Sequence, residues 1–192
     1  EAAKQEIIRR YFNTACAVKR GLAAREELYK EELLLKKVEA APEERAVVPA
    51  ALSREEKTGH PAVAISIPGG ELVTGKTTDL LGASAAAVMN ALKVCAGIPH
   101  DVKLVSENSI EPIQHLKTNY LGAKNPRLHS DEILIALSAS ASFNPAARLA
   151  LEQLPKLRGG EAHSTVMLSS VDENIFRRLG ISLTCSPINE SK

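Results

Sequence analysis

The sequence predicts an α/β protein. An N-terminal helical subdomain, residues 1–58, precedes a three-layer α/β sandwich with a mixed sheet, residues 59–192. Three observations carry this reading. Apolar residues recur at helical spacing throughout the first segment. Gly59-His60-Pro61 marks a boundary, since Gly and Pro both interrupt regular structure. Beyond Pro61, short extended apolar runs alternate with helical patterns, the order expected of a sheet covered by helices.

The elements follow in order. Ile7, Ile8, Tyr11, Phe12, Cys16 and Val18 define a first helix that Gly21 can stop. Leu22 to Ala40 reads as a second helix, with Leu28, Leu33, Leu34, Leu35 and Val38 among Glu and Lys and with Pro42 just beyond. Pro42 to Thr58 is a shorter, interrupted helical stretch in which Pro49 can open a turn. The runs Arg25-Glu26-Glu27 and Lys30-Glu31-Glu32 are solvated helix faces. Ala83 to Ala96 is a small-residue helix ended by Gly97. Val102 to Ser106 is a short strand, and Ile110 to Tyr120 a helix. Ser130 caps a helix reaching about Ser142, with Asp131 and Glu132 favourably placed in its first turn. Asn144-Pro145 opens another helix, as cap and first helical residue. Ala162 to Ser169 is a strand, Asp172 to Leu179 a helix, and Ile181 to Cys185 a final strand.

Gly70 to Thr77, GELVTGKT, matches the phosphate-loop spacing G-x-x-x-x-G-K-[ST]. A phosphate loop must coil its intervening residues around the anion, whereas Glu71-Leu72-Val73-Thr74 prefers to be extended. With Ala62 to Ile67 before it and Pro68-Gly69-Gly70 as the turn, the segment reads as a β-hairpin. A nucleotide loop would also require a downstream strand ending in a magnesium-binding Asp. The nearest candidate, Val171-Asp172, is separated from the preceding apolar run by two serines.

Composition narrows the function classes. The 192 residues are 44% hydrophobic and 24% charged with net charge +1, values of an ordinary globular chain without a basic block. Neither nucleic acid nor a membrane surface is expected as partner. Aromatics at 3% and no Trp leave few rings on which bases could stack. Cys16, Cys95 and Cys185 are widely spaced in apolar contexts, which suits buried thiols in the cytoplasm rather than disulfides or a metal site. No apolar run is long enough to span a bilayer. A start at Glu1, already in helical pattern, suggests a piece of a longer protein.

Leu72 to Ala96, Ile110 to Ala136, and above all Asn144-Pro145 through Leu154-Pro155-Lys156-Leu157-Arg158-Gly159-Gly160-Glu161-Ala162-His163-Ser164 to Val171-Asp172-Glu173-Asn174 resemble a group of bacterial proteins. That group is known only as domain of unknown function 1846. The resemblance implies a longer protein with another α/β region before this one, and little chemistry. The element order after Pro61 is also similar to cytidine-deaminase-like folds. A zinc deaminase needs H-x-E at the helix start and P-C-x-x-C later; this sequence has Gly82-Ala83-Ser84 and no C-x-x-C, so deaminase chemistry is not expected.

Two groups are candidate sites. Gly75, Lys76, Thr77 and Thr78, with Ser84 at the next helix start and Arg158 on the Gly159-Gly160 loop, offer amides, hydroxyls and cations to an anion. Glu161 and His163 share one strand face, so that Glu161 can orient His163 as a general base. His129-Ser130-Asp131-Glu132 is explained by helix capping, and His115 and Lys117 by an amphipathic helix face, so no metal site is assigned. The expected function is a ligand-binding and self-associating domain of a larger cytoplasmic protein. The alternative is an enzyme acting on a phosphorylated or nucleotide-like small molecule, with Lys76, Thr77 and Ser84 holding the anion and Glu161 and His163 supplying acid-base chemistry. Its two groups must then share a pocket. An anionic small molecule and a second copy of the chain are the partners expected. No cofactor is identified.

Overall fold

A computed structural model describes residues 2–190. The first three helices are α1 (Ala2–Lys19), α2 (Arg25–Lys37) and, after a 3-10 turn at Pro42–Glu44, α3 (Val47–Thr58). Gly59 ends α3 in the left-handed conformation. Strands β1 (Ala62–Ser66) and β2 (Leu72–Lys76) follow, then α4 (Ala83–Ala96), α5 (Glu107–Asn119), α6 (Ser130–Ser140) and α7 (Pro145–Leu151). A 3-10 turn at Leu154–Leu157 leads into β3 (Glu161–Ser164), α8 (Ser170–Leu179) and β4 (Ser182–Cys185).

The four strands form one mixed sheet in the order β2-β1-β3-β4. β1 is antiparallel to both β2 and β3, and β3 runs parallel to β4. Alternate residues of a strand point to opposite faces, and the two faces are filled differently. Val63, Ile65 and Ala162 join Ala87, Val88, Ala91 and Leu92 of α4 in the main core. Ala64, pointing the other way, meets Val47 and Ala51 of α3. Helices thus cover both faces of the sheet.

The hairpin expectation holds. Ala62 pairs with Lys76 and Ser66 with Leu72, and Gly69 and Gly70 make the turn at positive φ. Gly75 has a second role, set by space. A Cβ built on it would lie 2.2 Å from the backbone nitrogen of Ala87, so only glycine lets α4 lie this close to β2. The alanines of α4 do not form a free surface: Ala85, Ala87 and Ala91 are fully buried in the main core.

Three expected boundaries are corrected. Val102 to Ser106 is not a strand; Val102 N–H donates into a turn to Pro99 O, Asn144 Nδ2 donates to Leu104 O, and Ser106 takes the cap position of α5. Its apolar residues, Leu104 and Val105, are buried in the core without ladder partners. β3 ends at Ser164 rather than Ser169, because Ser169 accepts the Asp172 N–H and caps α8. Ser130 is the first residue of α6 and not its cap. The cap position is His129, whose N–H donates to the Glu132 carboxylate.

The Gly75 contact generates a prediction. Gly75→Ala is expected to lower unfolding stability by about 2–3 kcal/mol, the usual scale of overpacking. Urea denaturation of the purified variant measures it, and a midpoint equal to wild type would contradict the described packing.

Candidate functional site

Hairpin formation decides what the phosphate-loop spacing can do. Residues 72–76 are committed to the β1–β2 ladder, Thr77 N–H donates to Pro61 O, and Thr78 N–H donates to Leu81 O. The amides that would cradle a phosphate are therefore strung along an extended strand, alternate ones pointing to opposite sides, and cannot converge on one anion. Thr77 is buried, and its hydroxyl is 3.4 Å from the Glu190 carboxylate. Thr78 Oγ1 accepts from the N–H groups of Leu80 and Leu81, shaping the loop that follows. Ser84 is buried in the first turn of α4. Arg158 lies elsewhere, its side chain against Gly180 at the end of α8. Asp172 is not poised for magnesium: Oδ1 accepts from Ser130 N–H and Oγ–H, and Oδ2 from Ser169.

Lys76 and Thr78 do share a cavity, of about 290 Å³, with residues the sequence did not group. Lys76 enters from the end of β2, and Lys93 comes from the α4 face that also carries Ala86, Met89 and Asn90. These positions are three, four and seven residues apart, hence on one side of the helix. Arg54 reaches in from α3, and His100 and Lys103 from the segment before α5. The floor is apolar, with Leu80, Met89, Val105, Ile110 and Ile133.

The electrostatics are one-sided. Arg54, Lys76, Lys93 and Lys103 line the cavity against a single carboxylate among the described residues, Glu107, which pairs with Lys103 at 2.6 Å. Lys93 Nζ donates to His100 O at 2.9 Å, and burial pulls its pKa below the ordinary lysine value, with Asp101 acting in the opposite sense. Arg54 Nε is buried and has no hydrogen-bond partner among the described residues. A cavity with surplus cations suits an anion, most strongly one with several oxygens.

Glu161 and His163 lie outside this cavity. They share a strand face as expected, but they do not make the expected pair. Glu161 accepts from Arg45 at 2.9 Å, and this arginine is almost wholly buried and also donates to Ser182 O. His163 is fully buried, with Nδ1 2.9 Å from Thr184 Oγ1 and Nε2 3.1 Å from Ser186 Oγ. Its ring packs against Phe12 of α1 at a centroid distance of 4.7 Å. Burial, aided by the Arg45 charge, lowers its pKa to about 4, so the ring is neutral at physiological pH. The Cys16 and Cys185 thiols are pushed up by burial to about 11 and about 12, so neither is a thiolate nucleophile at neutral pH.

His129, Asp131 and Glu132 converge at the start of α6, their ligand-type atoms within 4.8 Å of one another. Glu132 is already neutralised by buried Lys117 at 2.7 Å, and Asp131 accepts the Glu132 N–H. The cluster therefore works as a cap and an ion pair. Lys117, expected on an amphipathic face, is instead buried and also donates to Arg127 O.

Fold and cavity define an α/β domain with a cationic cleft beside an edge hairpin. The family model described as "Domain of unknown function DUF1846, C-terminal" matches residues 43–192, and the chain belongs to this family. Among similar proteins, a "UPF0371 protein" of Corynebacterium glutamicum (strain R) is 50% identical over 192 residues, covering 100% of this chain and 39% of the relative. A "UPF0371 protein" of Streptococcus thermophilus (strain ATCC BAA-491 / LMD-9) is 48% identical over 187 residues, covering 97% of this chain and 38% of the relative. The chain thus spans well under half the length of these relatives. No helix among the described residues is long and apolar enough to cross a membrane.

The neutral, buried His163 makes stability depend on pH. Its pKa falls on folding from 6.5 to about 4, so within that window the unfolded chain binds a proton that the folded chain does not. This contribution is complete above the unfolded pKa and is lost as the pH falls. Urea melts are expected to show about 2 kcal/mol less stability at about pH 5 than at about pH 7, a difference that His163→Gln abolishes. Identical pH slopes for variant and wild type would refute the assignment.

Proposed function

We propose that this chain is the ligand-binding part of a longer cytoplasmic protein and takes a phosphate-bearing small molecule into the cleft between β2, α4 and the α5 approach. One observation carries the reading: Arg54, Lys76, Lys93 and Lys103, from four separate stretches of chain, line one cavity beside one already paired acid. Keeping several cations together without carboxylates is unfavourable unless an anion completes them. The apolar floor would hold the uncharged part of the ligand. Three free cysteines fit a reducing compartment.

Lys76 and Thr78 remain from the anion group read in the sequence, with side chains rather than backbone amides as the binding groups. Gly75 serves the approach of α4. Glu161 and His163 lie outside the cleft, engaged by Arg45 and by two hydroxyls, so the proposal includes no catalytic step. The division at residues 58 and 59, and the likeness to a three-layer cytidine-deaminase-like order, belong to the same reading. Packing of α4 across the hairpin supports the likeness, and contact between Ala64 and α3 ties the two segments closely.

Self-association has separate support. Tyr29 and Leu33, one helical turn apart on α2, are exposed together with Leu22. Sedimentation velocity is expected to show a dimer or higher species at micromolar concentration; a monodisperse monomer would refute this part.

Calorimetric titration with inorganic pyrophosphate and a hexose phosphate tests the cleft. At about a hundred times its dissociation constant, a ligand adds about 2.7 kcal/mol of stability, visible as a thermal shift of several degrees. Lys76→Glu and Lys93→Glu should each weaken binding about tenfold or more, and raising the salt concentration should weaken it further. Absence of binding, or binding unaffected by both substitutions, would overturn the proposal.

A further inference from the structure

The far edge of the sheet carries a second cavity of about 580 Å³, lying along β4 between α1 and α8. Among the described residues β4 is an edge strand, paired only with β3. Ser182 N–H donates to Gly160 O and Ser186 N–H to Ser164 O, so the even-numbered residues face β3. By alternation, the peptide groups of Leu183 and the N–H of Cys185 face away, into the groove. Cys16 Sγ donates to Cys185 O and closes one end, while Gly180 lies toward the other. An unpaired strand edge inside a walled groove is a template for one more strand.

The walls select the charge of that strand. Arg9 contributes from α1, Arg20 from just beyond its end, and Arg177 from α8. Among the described residues the one acid lining the groove, Glu173, is paired with Arg20 at 2.6 Å. Arg9 is held by Glu6, outside the groove, and Arg177 by the neutral Asn174. Each guanidinium has five donors, so groups fixed in this way retain N–H groups for a carboxylate.

We propose that this groove receives an extended segment bearing carboxylate side chains, added as a fifth strand beside β4 and supplied by the part of the longer polypeptide that lies outside these residues. Two arguments favour this source. The chain accounts for only 38–39% of the length of its relatives, so most of such a polypeptide is available to cover an open edge. A tethered strand also meets the groove at high effective concentration, so a short ladder suffices to hold it. This inference stands apart from the ligand cleft, whose walls it does not share.

Amide hydrogen exchange on the full-length protein tests it. Leu183 and Cys185 are expected to exchange at least about a hundredfold more slowly than unstructured amides, independently of protein concentration. Arg9→Glu combined with Arg177→Glu should accelerate both by about tenfold or more while Val63 and Ile65 in β1 stay protected; Arg9→Gln with Arg177→Gln provides a milder pair if charge reversal prevents folding. Near-unstructured rates in the wild type would overturn the proposal. So would protection that grows with concentration, which would mean a second copy, or protection that survives both pairs of substitutions.

Discussion

Antiparallel pairing of β1 with β2 is the constraint on which the rest of the molecule depends. It engages the backbone from Leu72 to Lys76 in a ladder and turns Gly75 toward α4, where the missing side chain admits the backbone of Ala87. Asn90 Nδ2 then donates to Thr74 O, tying the helix to the strand it covers. With α4 fixed, Lys93 comes beside Lys76, and the cationic cleft exists because the helix lies so close. A segment that matches a phosphate loop letter for letter thus contributes to a cationic cleft by another route, through a lysine at a strand end rather than through coiled amides.

Charges elsewhere are treated differently. Arg45 is buried and held by Glu161 and Ser182 O, Lys117 by Glu132 and Arg127 O, and Asp172 by two serines. Removing a charge from water is tolerated only when partners replace the lost solvation. Each of these groups joins segments distant in sequence, and Arg45 alone spans 116 residues to reach Glu161. Against that background, four cations around one cavity with one acid among them stand out as incomplete.

Much of the architecture was legible because local chemistry agreed with tertiary packing. Ala83 to Ala96 and its Gly97 stop, Asn144-Pro145 at the start of α7, and the Pro68-Gly69-Gly70 turn each carry their own signal, and the structure keeps them. Val102 to Ser106 misled because an apolar run looks the same whether it pairs in a sheet or fills a core from a loop. The strand alternation that placed Glu161 and His163 on one face was correct. Their partners were not visible, since Arg45 arrives from the loop before α3, Phe12 from α1 and Ser186 from beyond β4. The cleft was hidden for the same reason: Arg54, Lys93, His100 and Lys103 are unremarkable as sequence and meet only after α3, α4 and the α5 approach have packed.

The most direct test of this account is amide exchange along Leu72 to Thr77, measured with and without Mg-ATP. Strand pairing predicts slow exchange for the amides bonded to β1 and for Thr77, whose N–H reaches Pro61 O, and no added protection there when the nucleotide is supplied. Fast exchange in the free protein, replaced by protection on adding Mg-ATP, would show a loop closing on phosphate and would contradict it.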